Sequence, residues 1–438
     1  MNIREKEIYS FIQKGYKIST DSRNINNNTI FFALKGEVFD GNEFASEALD
    51  RGAALAVVDK EDLTKRDGLI IVKNVLSTLQ TLATFHRSKI NIPVIGITGS
   101  NGKTTTKELI SSVLSAKYKI LFTPGNYNNH IGLPLTILSI QNTHEIAVIE
   151  MGANHVGEID QLCNIAQPTC GLITNIGKAH IEGFGSFENI IKGKSELYNY
   201  LIRNNGLIFV NKENKILTDQ LKNYDNLFTY GSKNNLDCSG NVISSQPYLE
   251  LEIDIPENQG SDKQKKISTN LVGAYNFENV MAAVAIGTYF NVSISDIKNA
   301  IENYEPLNRR SQFKQTSKNK VIWDAYNANP TSMALALENF ANNPEKNKVA
   351  ILGDMLELGD SANYEHQSII DLLIHMKLDK VILIGSEFLA CSVNDNNFIT
   401  FLDTKEAADW FARNEIKNST VFVKGSRGMQ LEKLEKYL

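Results

Sequence analysis

The run Gly96-Ile97-Thr98-Gly99-Ser100-Asn101-Gly102-Lys103-Thr104-Thr105 holds the residue types that grip a phosphate. Small residues let the amides of a loop converge on phosphate oxygens, a lysine at a helix start adds charge, and a neighbouring hydroxyl can bind magnesium. The spacing departs from the common GxxxxGK[ST] pattern: Ile97 stands where that pattern has its first glycine, and the glycines fall at 96, 99 and 102. An ordinary glycine turn is the alternative, but Gly-Lys-Thr opening a helix points to ATP or another nucleoside triphosphate. The expected contacts are Gly99, Ser100, Asn101, Gly102, Lys103, Thr104 and Thr105. A carboxylate, Glu150, closes the apolar run Ile146-Ala147-Val148-Ile149. Neighbouring strands of a parallel sheet end at one edge, so Glu150 could face Thr104 and hold the metal.

These groups need a scaffold, and apolar periodicity supplies one. Val94 to Thr98 reads as a continuous apolar strand running into the glycine loop, with a helix from about Lys103. Alternation continues through the strands Ile146 to Glu150 and Gly171 to Thr174 to a helix around Glu188 to Leu201, which predicts a mostly parallel sheet covered on both faces. Before this, short runs at Thr29 to Leu34, Ala54 to Val58 and Leu69 to Val72, with a helix over Phe44 to Arg51, predict a small α/β unit. A connecting helix follows from Val75 to Lys89, ended by Asn91 and Pro93. Between Asn211 and Asn270 the chain turns polar, predicting added antiparallel strands and an exposed loop that includes the charged stretch Asp262 to Lys266. Helices at Asn276 to Phe290 and near Asp296 to Glu302 precede a third unit from about Arg309. There the strands Val349 to Gly353, Val381 to Gly385 and Thr420 to Gly425 each run into glycine, as in doubly wound folds.

The chain has 438 residues, 42% hydrophobic and 22% charged, with a net charge of −5. That length predicts two or three domains, and the mixed, slightly acidic charge argues against a nucleic-acid partner. The charged start and the lack of a long apolar run predict a cytoplasmic protein with no membrane span. Cys163, Cys170, Cys238 and Cys391 show no CxxC pair and no metal spacing with histidine, so they read as reduced thiols. Oligomeric state is left open, with a monomer compatible.

These motifs resemble the Mur ligase family, whose members activate a carboxylate with ATP and join it to an amine. The resemblance spans nearly the whole chain. It is carried by Thr123-Pro124-Gly125-Asn126-Tyr127-Asn128-Asn129-His130-Ile131-Gly132-Leu133-Pro134 and by Glu150-Met151-Gly152-Ala153-Asn154-His155-Val156-Gly157-Glu158-Ile159. Three further segments are similar to the branch that adds D-alanyl-D-alanine: Asp324-Ala325-Tyr326-Asn327-Ala328-Asn329-Pro330, Leu352-Gly353-Asp354-Met355-Leu356-Glu357-Leu358-Gly359, and Lys424-Gly425-Ser426-Arg427-Gly428-Met429. The implied fold is α/β in three domains. They are a small UDP-substrate domain over 1–84, a central P-loop ATPase domain with a mostly parallel sheet over 85–308, and a Rossmann-like domain over 309–438. The implied substrates are UDP-N-acetylmuramoyl-tripeptide and D-alanyl-D-alanine, joined through an acyl phosphate with ATP and two magnesium ions.

The resemblance also implies residue roles. Lys103, Lys194, His180 and Glu150 would be catalytic, and Thr104, Glu150, His180 and carbamylated Lys194 would bind metal. Lys194 is favoured over Lys192 by its Lys-x-Glu-Leu spacing. Carbon dioxide reacts with a neutral amine, which desolvation or nearby positive charge makes more available, and magnesium favours the resulting anion. Read without the family, Lys194 is a solvated charge and His180 a satisfied polar residue. Asn276 and Asn279 would contact nucleotide, although Asn276 is also a natural helix cap. Arg309 or Arg310 would reach phosphate and Asp324 the ribose. Ser22, Arg23, Asp40 and Gly41 would grip the UDP-muramoyl substrate, and otherwise read as polar turns. Asn128, Asn129, Asn327, Asn329, Asp354, Lys424 and Arg427 complete the expected substrate contacts. The alternatives are another amino-acid-adding Mur ligase, a folylpolyglutamate synthase-like ligase, or a nucleotide-switched binding protein that makes no amide.

Overall fold

A computed structural model describes residues 1–61, 66–255, 264–306 and 310–438. The chain divides into two compact units. Residues Met1–Gly96, Tyr118–Gly152 and Glu158–Gly171 form the first, and Ile97–Lys117, Ala153–Gly157 and Leu172–Leu438 the second.

The first unit opens with a helix, Ile3–Gln13, held by a reciprocal cap: Glu5 N donates to Asn2 Oδ1 at 2.9 Å and Asn2 N to Glu5 Oε2 at 2.7 Å. Such a box satisfies two amides that a helix start leaves unpaired. Four short strands follow, Lys17–Ser19, Thr29–Phe32, Leu55–Val58 and Leu69–Ile71, paired in that order and all parallel. Phe31, Ala45, Ala48, Ala56 and Val58 form a core beside this sheet. The connecting helix is Val75–Arg87, started by the side chain of Asn74. At its end the buried Arg87 guanidinium donates to the carbonyls of Ala166, Ile90 and Gln167, satisfying acceptors at the close of the helix Glu158–Ala166. The strands Ile120–Phe122, Ile146–Glu150, Val94–Thr98 and Cys170–Ile173 lie in that order, and the last two continue into the second unit.

In the second unit Leu207–Asn211, Leu227–Gly231 and Cys238–Ser244 are parallel, whereas Glu250–Asp254 and Gln264–Ser268 add on antiparallel. Here one expectation is corrected. The charged stretch expected as loop from Asp262 to Lys266 is strand from Gln264 onward, with Lys266 opposite Glu252 and 2.9 Å from Glu250. Alternation explains it: Ile267 points into the core while its neighbour Lys266 faces water along an edge strand, where charge discourages further pairing.

The last sheet orders Gln312–Gln315, Lys320–Asp324, Thr420–Lys424, Lys348–Gly353, Lys380–Ile384 and Phe398–Phe401. Only the first pair is antiparallel. Residues alternate across it: Val421 and Val423 pack with Trp323, Ile351 and Ile382 on one face, while Phe422 packs with Phe340, Leu337 and Leu383 on the other. Strand Thr420–Lys424 sits between Lys320–Asp324 and Lys348–Gly353, so three strand ends deliver Asp324, Lys424 and Asp354 to one edge. Open α/β sheets bind ligands at such an edge.

Candidate active site

The phosphate loop runs from strand Val94–Thr98 into helix Lys103–Ser115, whose cap residue Gly102 offers no side chain to its amides. Two glycines are demanded by geometry. Gly99 has φ +144°, and a Cβ there would lie 2.0 Å from Thr174 Oγ1; Gly102 has φ +78°, and a Cβ would lie 2.4 Å from Asn279 Oδ1. Lys103 Nζ donates to the carbonyls of Gly99 and Ser100 at 2.6 and 3.1 Å, arching over the loop. Thr104 and Thr105 are buried in the first helical turn.

The loop is pinned by residues far along the chain. Ser100 Oγ donates to Gly177 O and accepts from Gly177 N, both at 2.9 Å. Asn101 is held by Thr174 Oγ1 on its carbonyl at 2.6 Å and by Asn175 Oδ1 on its amide at 3.0 Å. Its side-chain oxygen accepts from Asn329 Nδ2 at 2.7 Å, and Asn329 also caps helix Pro330–Ala341. Thr106 Oγ1 donates to Asn279 Oδ1, and Asn279 Nδ2 donates to Asn276 Oδ1. Asn276 corrects its expected capping role: its side chain makes no cap bond and instead donates to Val272 O, because the chain enters the helix through a 3-10 turn. In sequence the segment Thr174 to His180 resembles the family's second metal region; that Thr174, Asn175 and Gly177 brace the phosphate loop is visible only in the fold.

Glu150 lies in the first unit, buried, with its amide donating to Thr123 Oγ1 at 2.9 Å and its Oε1 accepting from Asn128 Nδ2 at 2.7 Å. Asn129 serves the adjoining helix Gly132–Leu138, accepting from Ile131 N and Gly132 N. In the small sheet domain, Asp21 takes a bidentate grip from the exposed Arg23, which holds its carboxyl down at about 2. Ser22 O accepts from Arg51. Asp40 Oδ1 accepts from Asn42 N and Nδ2, and Gly41 N donates to Leu34 O at 3.0 Å, shaping an exposed tip at Val38 and Phe39.

Lys194 is not a solvated charge. On helix Phe187–Arg203 it is fully buried, its Nζ donating to Ala153 O at 2.9 Å and standing 5.0 Å from the Phe184 ring centroid. Lys192 on the same helix is exposed. His180, at φ +55°, pairs its Nδ1 with Glu357 Oε2, and that pairing lowers the Glu357 carboxyl. Among the described residues, no three His, Cys, Asp or Glu side chains gather as a metal site. Magnesium needs few protein donors even so, because that ion keeps waters and phosphate oxygens as most of its ligands.

On the last sheet, Asp324 accepts from Ser311 N at 3.2 Å and pairs with the buried Lys424. Arg310 stands over the Tyr326 ring, its Cζ 3.5 Å from the centroid, while the exposed Arg427 approaches the same ring at 5.6 Å. Arg309 lies outside the described residues. Asn327 is exposed, and its carbonyl faces Lys424 Nζ. Asp354 is enclosed: its two oxygens accept from Glu387 N and Phe388 N at 3.0 Å, and burial raises its carboxyl. Its oxygens are thus engaged in starting helix Ser386–Leu389. All four cysteines are free thiols. Among the described residues, no helix is long and apolar enough to cross a membrane.

Three family descriptions match successive parts of the chain: the Mur ligase family catalytic domain over residues 15–96, the Mur ligase middle domain over 97–287, and the Mur ligase glutamate ligase domain over 309–427. A UDP-N-acetylmuramoyl-tripeptide--D-alanyl-D-alanine ligase of Bacillus subtilis is 34% identical over 436 residues, spanning 96% of this chain and 92% of that one. The crystal structure of MurF from Acinetobacter baumannii superposes with a TM-score of 0.86 at 29% identity, over 98% of this chain and 97% of that one. MurF ligase from Thermotoga maritima in complex with ADP gives 0.84 at 26% identity, over 100% and 98%. The three-domain α/β class expected from sequence is the class of these structures.

Proposed function

Because the chain belongs to the Mur ligase family, we propose that it joins D-alanyl-D-alanine to UDP-N-acetylmuramoyl-tripeptide in the cytoplasm at the expense of ATP. The observation that carries this reading is the phosphate loop at Gly99 to Thr105, braced by Asn175, Asn279 and Asn329 and opening a helix whose first amides meet no side-chain cap. Such a helix start favours an anion, and Lys103 is one flexible side chain away from it.

A carboxylate resists attack by an amine, so the tripeptide carboxylate first attacks the γ-phosphorus of ATP, releasing ADP and forming an acyl phosphate. The amine of D-alanyl-D-alanine then attacks the activated carbonyl, phosphate leaves, and the amine proton passes to solvent. Lys103, swinging off the carbonyls of Gly99 and Ser100, neutralises charge on the transferring group. Magnesium held by Thr104, and by His180 and carbamylated Lys194, would supply the remaining positive charge, with Glu150 as a further expected ligand. A carbamate on Lys194 keeps one N–H, which could go on donating to Ala153 O. Asn128 orients Glu150, Arg310 on Tyr326 is the described arginine suited to phosphate, and Asp324 serves the ribose. Domains at 1–84, 85–308 and 309–438 divide the labour, with Ser22, Arg23, Asp40 and Gly41 on the UDP-muramoyl side. Asn327, Lys424 and Arg427 lie toward the dipeptide.

Mass spectrometry of a reaction with the tripeptide, the dipeptide and Mg-ATP tests the reading. Pentapeptide and ADP should form together, and Lys103→Ala should abolish both. ATP turnover without tripeptide would favour a nucleotide switch, and an amine panel in which another amino acid outperforms the dipeptide would favour a sister ligase.

A further inference from the structure

Two non-glycine residues held in the left-handed region meet in the second unit: His180 at φ +55° and Glu357 at φ +64°. L residues rarely adopt that conformation, and when they do the surroundings must hold them there. The holding contacts are visible. Glu182 N donates to Glu357 O at 3.2 Å, Lys178 N to Thr331 Oγ1 at 3.0 Å, and Lys178 Nζ to the buried Glu365 at 2.5 Å. A surface ion pair formed by two free side chains would need none of this bracing.

We propose that Glu357 is a positioning residue that fixes the tautomer of His180, so that Nε2 is presented as the lone-pair donor to a divalent cation. The proposal rests on the reading of His180 given above. The chemistry is simple. An ionised carboxylate can only accept, so Nδ1 facing Glu357 Oε2 carries the proton, and in the neutral ring Nε2 must then be the acceptor. Carboxylate partners of this kind orient metal-binding histidines and raise their basicity. Without Glu357 the ring is free to rotate and to place its proton on Nε2, which cannot then bind metal.

The test uses the full chain with Mn2+ and a non-hydrolysable ATP analogue. Mn2+ affinity is read by electron paramagnetic resonance and the ring tautomer by long-range proton–nitrogen NMR. Wild type should show His180 protonated at Nδ1. Glu357→Ala should move the proton toward Nε2 and weaken Mn2+ binding about tenfold or more. Glu357→Gln, whose amide oxygen still accepts, should stay near wild type in both readouts. Adding Glu357→Ala to His180→Ala should cause no further loss. An unchanged tautomer and Mn2+ affinity in Glu357→Ala would overturn the inference, as would losses that multiply in the double variant. A wild type that binds Mn2+ through His180 yet makes no amide would sink the ligase reading while leaving these arms readable.

Discussion

Replacing Gly99 with alanine probes how the phosphate loop keeps its shape. The backbone at φ +144° is open to glycine and strained for any other residue, a cost of about 1–3 kcal/mol. The added methyl would sit 2.0 Å from Thr174 Oγ1, with Asn175 O and Thr174 N both at 3.1 Å, so the hydroxyl must leave. Its bond to Asn101 O at 2.6 Å is then lost, at about 0.5–1.5 kcal/mol. The total is about 2–4 kcal/mol. A loop can relax when empty, so the melting temperature should change little and the cost should appear when nucleotide requires the original shape. ATP-analogue affinity, read by calorimetry, should fall roughly 30- to 1,000-fold. Thr174→Ala alone loses only the hydrogen bond and should cost about 1 kcal/mol. The double variant should bind no worse than Gly99→Ala, because the hydroxyl is already displaced in that background. Wild-type affinity in Gly99→Ala, or penalties that simply multiply, would refute this account of the loop.

Other expectations follow from single contacts. Asn329→Ala removes a helix cap and the bond to Asn101, so it should cost about 1–2 kcal/mol in urea denaturation and also weaken nucleotide binding. Asn329→Asp should recover the stability but not the affinity, since it can cap but cannot donate to Asn101 Oδ1. Glu278 has its carboxyl raised above 4.5, first by burial and then by the charge of Glu213, with the Asn211 amide opposing. A raised folded-state value means that the stabilising contribution is complete below the unfolded value and is lost as pH rises through the folded one. Glu278→Gln stays neutral throughout. It should be more stable than wild type at neutral pH, with the advantage shrinking as pH falls toward 4.5 and gone below it, and lower stability at pH 7 would contradict the burial argument. Carbon-13 NMR with labelled bicarbonate should show a carbamate signal that Lys194→Ala removes along with ligation. Full activity in Lys194→Ala would overturn its role.

What sequence revealed and what it hid divides along the range of the interaction. Val94–Thr98 and Ile146–Glu150 were legible to the residue, because continuous apolar runs bounded by loop residues mark buried strands. The phosphate loop was legible because its residues are adjacent. The hairpin Gln312–Gln315 and Lys320–Asp324 was not, since its polar outer strand shows no apolar signal. The opening helix passed unread although Asn2 and Glu5 carry a capping pattern. The bracing of Asn101 by Asn175 and Asn329, and of His180 by Glu357, could not be seen, because the partners stand 74, 228 and 177 positions apart. Burial of Lys194 was equally hidden: a lone lysine on a helix reads as surface until Ala153 and Phe184 are seen to enclose it.

The most direct test follows an oxygen atom. With both oxygens of the tripeptide's terminal carboxylate labelled with oxygen-18, attack on ATP and later loss of phosphate should leave one label in the inorganic phosphate and one in the new amide carbonyl. Phosphate free of label, with amide still formed, would contradict the acyl phosphate and with it the role given to the loop at Lys103.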